Sequence, residues 1–267
     1  MQMPELPEVE LHRRELTQLL GSNPLLESFE LQRKDVRFPL RRKDFASLCG
    51  QTLRTVDRRA KYLLFRFEQG TLLSSLGMTG RWRFSTTLQK HDHIVLQFTG
   101  LQPLVFSDPR RFGFVEIAHP EKFLLDLGPE PLDSSWTAEV LHQNLRRRSG
   151  PIKPLLMNQS LVVGVGNIYA SEALHLARIH PQKSARRISL QSCERLVHSV
   201  RAVLQKALAE GGSSIRTYRT PSGARGQFQH TFQVYDRALE PCFVCGTRVR
   251  KLVQAGRSTF FCPHCQK

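Results

Sequence analysis

Apolar positions recur at helical spacing over residues 7–20, PEVELHRRELTQLL, where Val9, Leu16, Leu19 and Leu20 make one stripe and Gly21 ends it. The period then changes. YLLFRF and TLLSSL, joined by EQG, read as the strands of one hairpin, and HIVLQF and PLVFSD, joined by TGLQ, as the strands of a second. RFGFVEIA adds a further strand. Residues 22–118 are therefore expected to form an antiparallel β-sandwich with the first helix packed on it. LGPEPLDSS, at 127–135, interrupts with Pro, Gly and Ser. Beyond it the period is helical again. ISLQSCERLVHSVRAVLQKALAEGG is the clearest helix, with Leu196, Val200, Val203, Ala207 and Leu208 as its apolar stripe, Ser189 as cap and Gly211 and Gly212 as stop. Another helix is expected to begin at NIYASEALHLARIH, and the tail from FQHTFQVYDR reads as β structure. The fold class is α+β in two lobes: a β-sandwich over 1–128, a linker at 129–134, a helical domain over 135–231 and a finger over 232–267.

Charge narrows the partner. With 39 Lys and Arg against 23 Asp and Glu, the formal net charge is +16 and the pI about 10.2, which points to a polyanion, most simply nucleic acid. No apolar run is long enough to span a membrane. Glu5, Glu8 and Glu10 crowd the N-terminus where a signal peptide would need a positive start and an apolar stretch, so a cytoplasmic, reducing setting is expected. Cys49 and Cys193 stand alone. Cys242, Cys245, Cys262 and Cys265 follow the pattern C-x2-C-x16-C-x2-C, in which two knuckles turn four thiolates toward one Zn²⁺. Four sulfur ligands leave no open position, so the single zinc is structural, and His264 is a bystander.

Four stretches carry candidate chemistry. Gly164 and Gly166 lead into Asn167 where a helix starts, a place that suits a phosphate or an ordinary cap equally. DPRRFG sets Arg110 and Phe112 on a turn, a cation and an aromatic able to fill a gap in a base stack, though also common at a plain surface. Lys61 sits among arginines at a strand entrance. Arg257 lies on the finger's hairpin, and residues 241–267 hold Arg248, Arg250, Lys251, Arg257 and Lys267 with no acid, so the finger should lie against phosphates. No Walker A or dinucleotide fingerprint appears, so no nucleotide cofactor is expected.

PELPEVE, RRAKYLL, LGMTG, KHDH, DPRRFG, LGPEPL, IKPLL, VVGVGNIYASEAL, IHP, GGSSI, QVY and GRSTFFCPHCQ occur in this order over essentially the whole chain. In this it resembles the bacterial formamidopyrimidine-DNA glycosylases, within a superfamily that also holds endonuclease VIII. The resemblance implies a β-sandwich, a helix–two-turn–helix module and a zinc finger, with double-stranded DNA in the cleft between the lobes. It implies a nucleoid-associated bacterial monomer that excises oxidised purines such as 8-oxoguanine and formamidopyrimidines and cleaves the abasic site by β,δ-elimination. By the same resemblance Pro4 is the amine nucleophile, Glu5 the general acid, Lys61 a proton donor in β-elimination and Arg257 the δ-elimination and phosphate arginine. His91, Arg110, Lys153 and Asn167 match DNA contacts. Met78, Arg110 and Phe112 match the trio that fills the gap left by the extruded base. TYRTPSGARGQF, 217–228, matches a loop that closes over that base.

Departures from the family pattern are Ser75, where a histidine is common, Asn158, where an Asp is usual, and Asp236 and Ala238 at glycine positions. The prefix MQM bears on the chemistry, because an internal proline is an amide and no nucleophile. Gln2 is too large for removal of Met1, whereas initiation at Met3 and loss of that methionine would expose Pro4 as an α-amine, a class with a reference pKa of about 7.7–8.0. The rival readings are a non-catalytic DNA-binding protein that retains MQM and an endonuclease VIII-type enzyme acting on oxidised pyrimidines.

Overall fold

The alternating runs of the first half build two four-stranded antiparallel sheets. The protein is described from a computed structural model over residues 3–213 and 219–267. Helix α1 is Leu6–Leu20, α2 Arg42–Ala46, and the strands are β1 (Leu26–Leu31), β2 (Leu53–Arg59), β3 (Tyr62–Phe67), β4 (Thr71–Ser75), β5 (Arg81–Phe84), β6 (Asp92–Phe98), β7 (Leu104–Ser107) and β8 (Phe114–Glu116). One sheet runs β1-β6-β7-β5 and the other β2-β3-β4-β8. Both expected hairpins form, β3 with β4 and β6 with β7. Their inward side chains, with the Trp82 ring in contact with those of Phe65 and Phe106, share one core with Val9, Leu16 and Leu20 of α1. Leu19, placed on the same stripe by spacing, is exposed, because one residue off the α1 seam turns it to solvent. This unit comprises Met1–Leu125 together with Gly211–Gly226.

The second unit, Asp126–Glu210 with Gln227–Lys267, is helical and then β. Its elements are α3 (Ala138–Arg146), α4 (Ile152–Leu156), α5 (Asn167–Leu176), α6 (Leu190–Ala209), β9 (Arg250–Gln254) and β10 (Arg257–Phe261). Ser189 caps α6 by accepting the Ser192 N–H. The buried stripe of α6 is Leu196, Val197, Val200, Val203, Leu204 and Ala207, so Leu204 rather than Leu208 completes it. The guanidinium of Arg201 donates to the backbone oxygens of Pro131, Asp133 and Trp136 at 3.1, 2.8 and 2.8 Å, which fixes the Pro-rich break onto α6. Residues 228–231, expected as β, form a 3-10 turn in which Phe228 packs on Tyr169 and Phe232.

His12 is a polar residue inside the apolar face of α1, at 0% exposure. Its Nε2 accepts the Trp82 N–H at 3.1 Å. Burial, reinforced by the charge of Arg81, pushes its pKa from 6.5 down to about 3 against that one hydrogen bond. The folded state therefore holds the neutral ring, while the unfolded ring takes a proton below about pH 6.5. Stability attributable to His12 is complete above that pH and falls as pH drops toward 3, by up to about 5 kcal/mol. Thermal unfolding of wild type and His12→Gln between pH 7 and 4.5 checks this: the variant, whose amide oxygen can still accept from Trp82, should lose less stability on acidification.

Candidate functional site

In the first unit, α1 begins at a capping box made of two glutamates. Glu5 is the N-cap; its side chain accepts the N–H of Glu8, and Oε2 of Glu8 accepts the Glu5 N–H at 2.9 Å. Oε1 of Glu8 accepts the Ser213 N–H at 2.8 Å, which ties residue 213 to the start of the helix. Both glutamates are buried, as is Pro4 just upstream. Further along α1, burial alone would raise the Glu10 carboxyl, but Arg13, Arg14 and Arg58 at 2.8, 2.9 and 3.2 Å hold it at about 2. Arg58 is in β2, so this cluster stitches α1 to the β2–β3 hairpin, against which the helix packs. Ala60 and Lys61 are that hairpin's two-residue turn, with Ala60 at φ +54°. Lys61 is half-buried there. Pro4, Glu5 and Lys61 thus belong to one packed pair of elements.

Met78 is on the turn after β4, and Arg110 and Phe112 are on the turn between β7 and β8. The Arg110 guanidinium lies 4.6 Å from the Phe112 ring centroid, and Phe112 is 45% exposed. His91, exposed before β6, accepts the Asp108 N–H on its backbone oxygen at 3.0 Å. Ser75, the departure from histidine, turns its hydroxyl to the Gly77 N–H at 3.4 Å. Of the loop at 217–228, Thr217 and Tyr218 lie outside the described residues.

In the second unit Lys153 is 1% exposed, although lysine in a basic chain reads as a surface contact. Its Nζ donates to Asn167 Oδ1 at 2.5 Å, Thr259 Oγ1 at 2.8 Å and the Ser258 carbonyl at 3.2 Å. Asn167 Nδ2 donates to the same carbonyl at 2.9 Å. The lysine therefore clamps the start of α5 to strand β10, next to Arg257. The turn before Arg257 has Ala255 at φ +45° and Gly256 at +70°, the left-handed pair of a tight hairpin, and leaves Arg257 exposed. A second clamp is the buried carboxyl of Glu172, which accepts the N–H groups of Gln233, Val234 and Tyr235 at 2.8, 3.0 and 2.8 Å. Asp236, next in line at φ +59°, adopts the backbone that glycine provides more readily. Asn158 closes an Asx turn on Ser160 at 2.9 Å, using an oxygen that an aspartate would offer equally.

The sulfurs of Cys242, Cys245, Cys262 and Cys265 all lie within 4.8 Å of one another. Cys242–Cys265 are 3.9 Å apart and Cys245–Cys262 3.5 Å, close to the ~3.8 Å edge of a tetrahedron with Zn–S bonds of ~2.3 Å. These residues fit one structural zinc. Gln266 adds a strap, donating to the Ile179 carbonyl and accepting the Cys262 N–H. His264 is exposed and outside the cluster.

Family models match nearly end to end: the formamidopyrimidine-DNA glycosylase N-terminal domain over residues 3–115, the H2TH domain of the same glycosylase over 127–219, and the zinc finger found in FPG and IleRS over 240–267. The formamidopyrimidine-DNA glycosylase of Bdellovibrio bacteriovorus is 47% identical across 99% of this chain and 100% of its own, and that of Methylobacillus flagellatus 44% across 99% and 97%. Among solved structures, the MutM (Fpg) protein of Thermus thermophilus superposes with a TM-score of 0.89 at 40% identity, covering 98% of each chain. A Lactococcus lactis Fpg variant in complex with Fapy-dG-containing DNA gives 0.91 at 37%, covering 99% and 100%. A sandwich entered by a proline-led helix, a helix–two-turn–helix module and a four-thiolate finger define a DNA-repair glycosylase. The chain belongs to the formamidopyrimidine-DNA glycosylase family.

Three buried carboxyls that organise this geometry, Glu8, Asp108 and Glu172, lie within PELPEVE, DPRRFG and VVGVGNIYASEAL, but the motifs alone give them no role. Two of them leave a trace. Glu8 stands at capping-box spacing from Glu5, and Asp108 precedes Pro109 at a turn. The zinc ligands yield one check: Cys262→Ser should lower zinc below one per chain and, by freeing β9 and β10, weaken DNA binding in a filter or anisotropy assay. A second concerns the clamp. Lys153→Met leaves buried oxygens without their donor, at about 2–4 kcal/mol, and should speed zinc release to a colorimetric chelator.

Proposed function

We propose that the protein uses the ring nitrogen of Pro4 to excise oxidised purines from duplex DNA and then cuts the strand. The observation that carries this is full-length identity of up to 47% to formamidopyrimidine-DNA glycosylases in a chain that keeps Pro-Glu at the head of α1. The protein is a bifunctional enzyme of base-excision repair, a glycosylase and abasic-site lyase, and DNA is its partner; the alternatives of a non-catalytic binder and a pyrimidine-specific enzyme are not favoured.

In the proposed mechanism the Pro4 lone pair attacks C1′, the base leaves with the electrons of the glycosidic bond, and the attacking nitrogen gives up its own proton to the departing base, leaving a neutral tertiary amine on C1′. Glu5 supplies a proton as the sugar ring opens. The resulting iminium holds a fixed positive charge, since its nitrogen has no proton to lose. That charge acidifies C2′–H, whose loss expels the 3′ phosphate. Lys61 serves the proton transfers of this β-elimination, and Arg257 holds phosphate and serves the following δ-elimination. His91, Arg110 and Asn167 meet the DNA backbone. Lys153, with its Nζ turned to Asn167 and β10, serves DNA by holding Asn167 and the finger. Met78, Arg110 and Phe112 fill the space of the extruded base. Bound zinc supplies rigidity to the finger and no reacting orbital. The working protein is monomeric, uses no nucleotide cofactor and acts in the bacterial cytoplasm at the nucleoid.

This chemistry requires Pro4 to be the first residue, as translation from Met3 and removal of that methionine would leave it. Borohydride reduction during incubation with an 8-oxoguanine duplex is the test. A chain beginning at Pro4 should be trapped covalently, and a chain that retains Met1–Met3 should not. Equal trapping of the two would reject Pro4 as nucleophile. Faster cleavage of thymine-glycol than of 8-oxoguanine duplexes would move the substrate to oxidised pyrimidines.

A further inference from the structure

We propose that Asp108 is the positioning residue of the base-stack wedge, locking the turn that carries Met78 to the turn that carries Arg110 and Phe112. The inference rests on the glycosylase reading and on the gap-filling role proposed for that trio.

Asp108 is 0% exposed, and its backbone and both side-chain oxygens are engaged. Oδ1 accepts the Thr79 hydroxyl in a short bond and the Arg110 N–H at 3.2 Å. Oδ2 accepts the Gly113 N–H at 2.7 Å. Thr79 Oγ1 in turn accepts the Arg110 N–H at 3.2 Å, which closes a small ring of bonds across the two turns. The Asp108 carbonyl meets His93 Nε2 at 2.8 Å and the Arg111 N–H at 3.2 Å, and its own N–H goes to the His91 carbonyl. The carboxyl thus faces donors from both turns, one residue from Met78 on one side and from Phe112 on the other.

The two turns are also in backbone contact. A Cβ at Gly77, which has φ +57°, would sit 2.3 Å from the Gly113 nitrogen and 2.4 Å from the Phe112 carbonyl carbon. No side chain fits between them. The result is a rigid base beneath an exposed phenyl ring with a guanidinium stacked on it. Phe112, 45% exposed with Arg110 stacked on it, is thus presented to a partner on a constrained backbone. A wedge must hold its shape while it enters a stacked duplex, and polar groups buried with all donors matched provide that rigidity.

Replacing Asp108 with Asn swaps one acceptor for an NH₂ that must face an O–H or N–H donor, so one turn is released. The experiment compares excision of 8-oxoguanine paired with cytosine against strand cleavage at a preformed abasic site, where there is no base to unpair. It also follows the fluorescence of 2-aminopurine placed beside the lesion. For Asp108→Asn the ratio of excision to abasic cleavage should fall on the order of tenfold, with a smaller fluorescence change on binding. Thr79→Val, which removes one donor at nearly constant shape, should shift both readouts the same way by less, and it decides the matter if Asp108→Asn does not fold. An unchanged ratio in Thr79→Val, or a parallel loss of both activities in a folded Asp108→Asn, would overturn the positioning role. Absence of excision by the wild-type chain that begins at Pro4 would instead overturn the glycosylase reading, and this inference with it.

Discussion

A carboxyl group withdrawn from water needs hydrogen-bond donors in place of the water it loses, and this molecule meets that need with backbone N–H groups of its own loops. Glu8 gathers Glu5 and Ser213, Asp108 gathers Arg110 and Gly113, and Glu172 gathers Gln233, Val234 and Tyr235. Each is almost fully buried. Burial pushes the Glu172 carboxyl up in pKa, and its three amide donors work against that shift. Loops are the segments with the fewest internal bonds, so a buried acceptor is an economical way to fix one. Here the loops so fixed carry Pro4 and Glu5, Arg110 and Phe112, and the approach to the finger.

The finger shows how the same device combines with metal chemistry. Zinc holds four sulfurs, which sets the internal shape of the hairpin but not its attachment to the helices. Attachment comes from Lys153 on β10, Glu172 on the preceding segment and Gln266 on the Ile179 carbonyl. His175 adds a contact of 3.6 Å between its Nε2 and the Cys242 sulfur. The exposure of Arg257 at the hairpin end follows from these interior bonds.

Much of this was legible in the chain, and the limits have physical reasons. The cysteine pattern is readable because a metal demands fixed ligand types at short spacing, and the two β-hairpins because their strands are apolar and their turns polar. The burial of Lys153 is invisible, since its partners Ser258 and Thr259 are more than a hundred residues away. His12 looks like part of a solvated face between Glu10 and Arg13 until Trp82 is brought over it. Leu204 and Leu208 are one helical turn apart, and only the packing against α3 and α5 selects the first as buried. The left-handed turns at Ala60 and Ala255 carry residues that do not advertise them. In each case tertiary context imposes the conformation, whereas the motifs that chemistry requires stay local and readable.

The proposed nucleophile shows why its position matters as much as its identity. An amine attacks only when unprotonated, and water stabilises the protonated form. Pro4 is buried, and it abuts the N-terminal end of α1, where the helix dipole places partial positive charge. Both effects disfavour a further positive charge at that nitrogen. The carboxyl groups of the capping box lie at the same helix end and favour positive charge there, as the iminium requires. A proline amine moved to an exposed, flexible tail would have the same atoms without those carboxyl groups beside it. The capping box is therefore part of the proposed chemistry as well as of the helix.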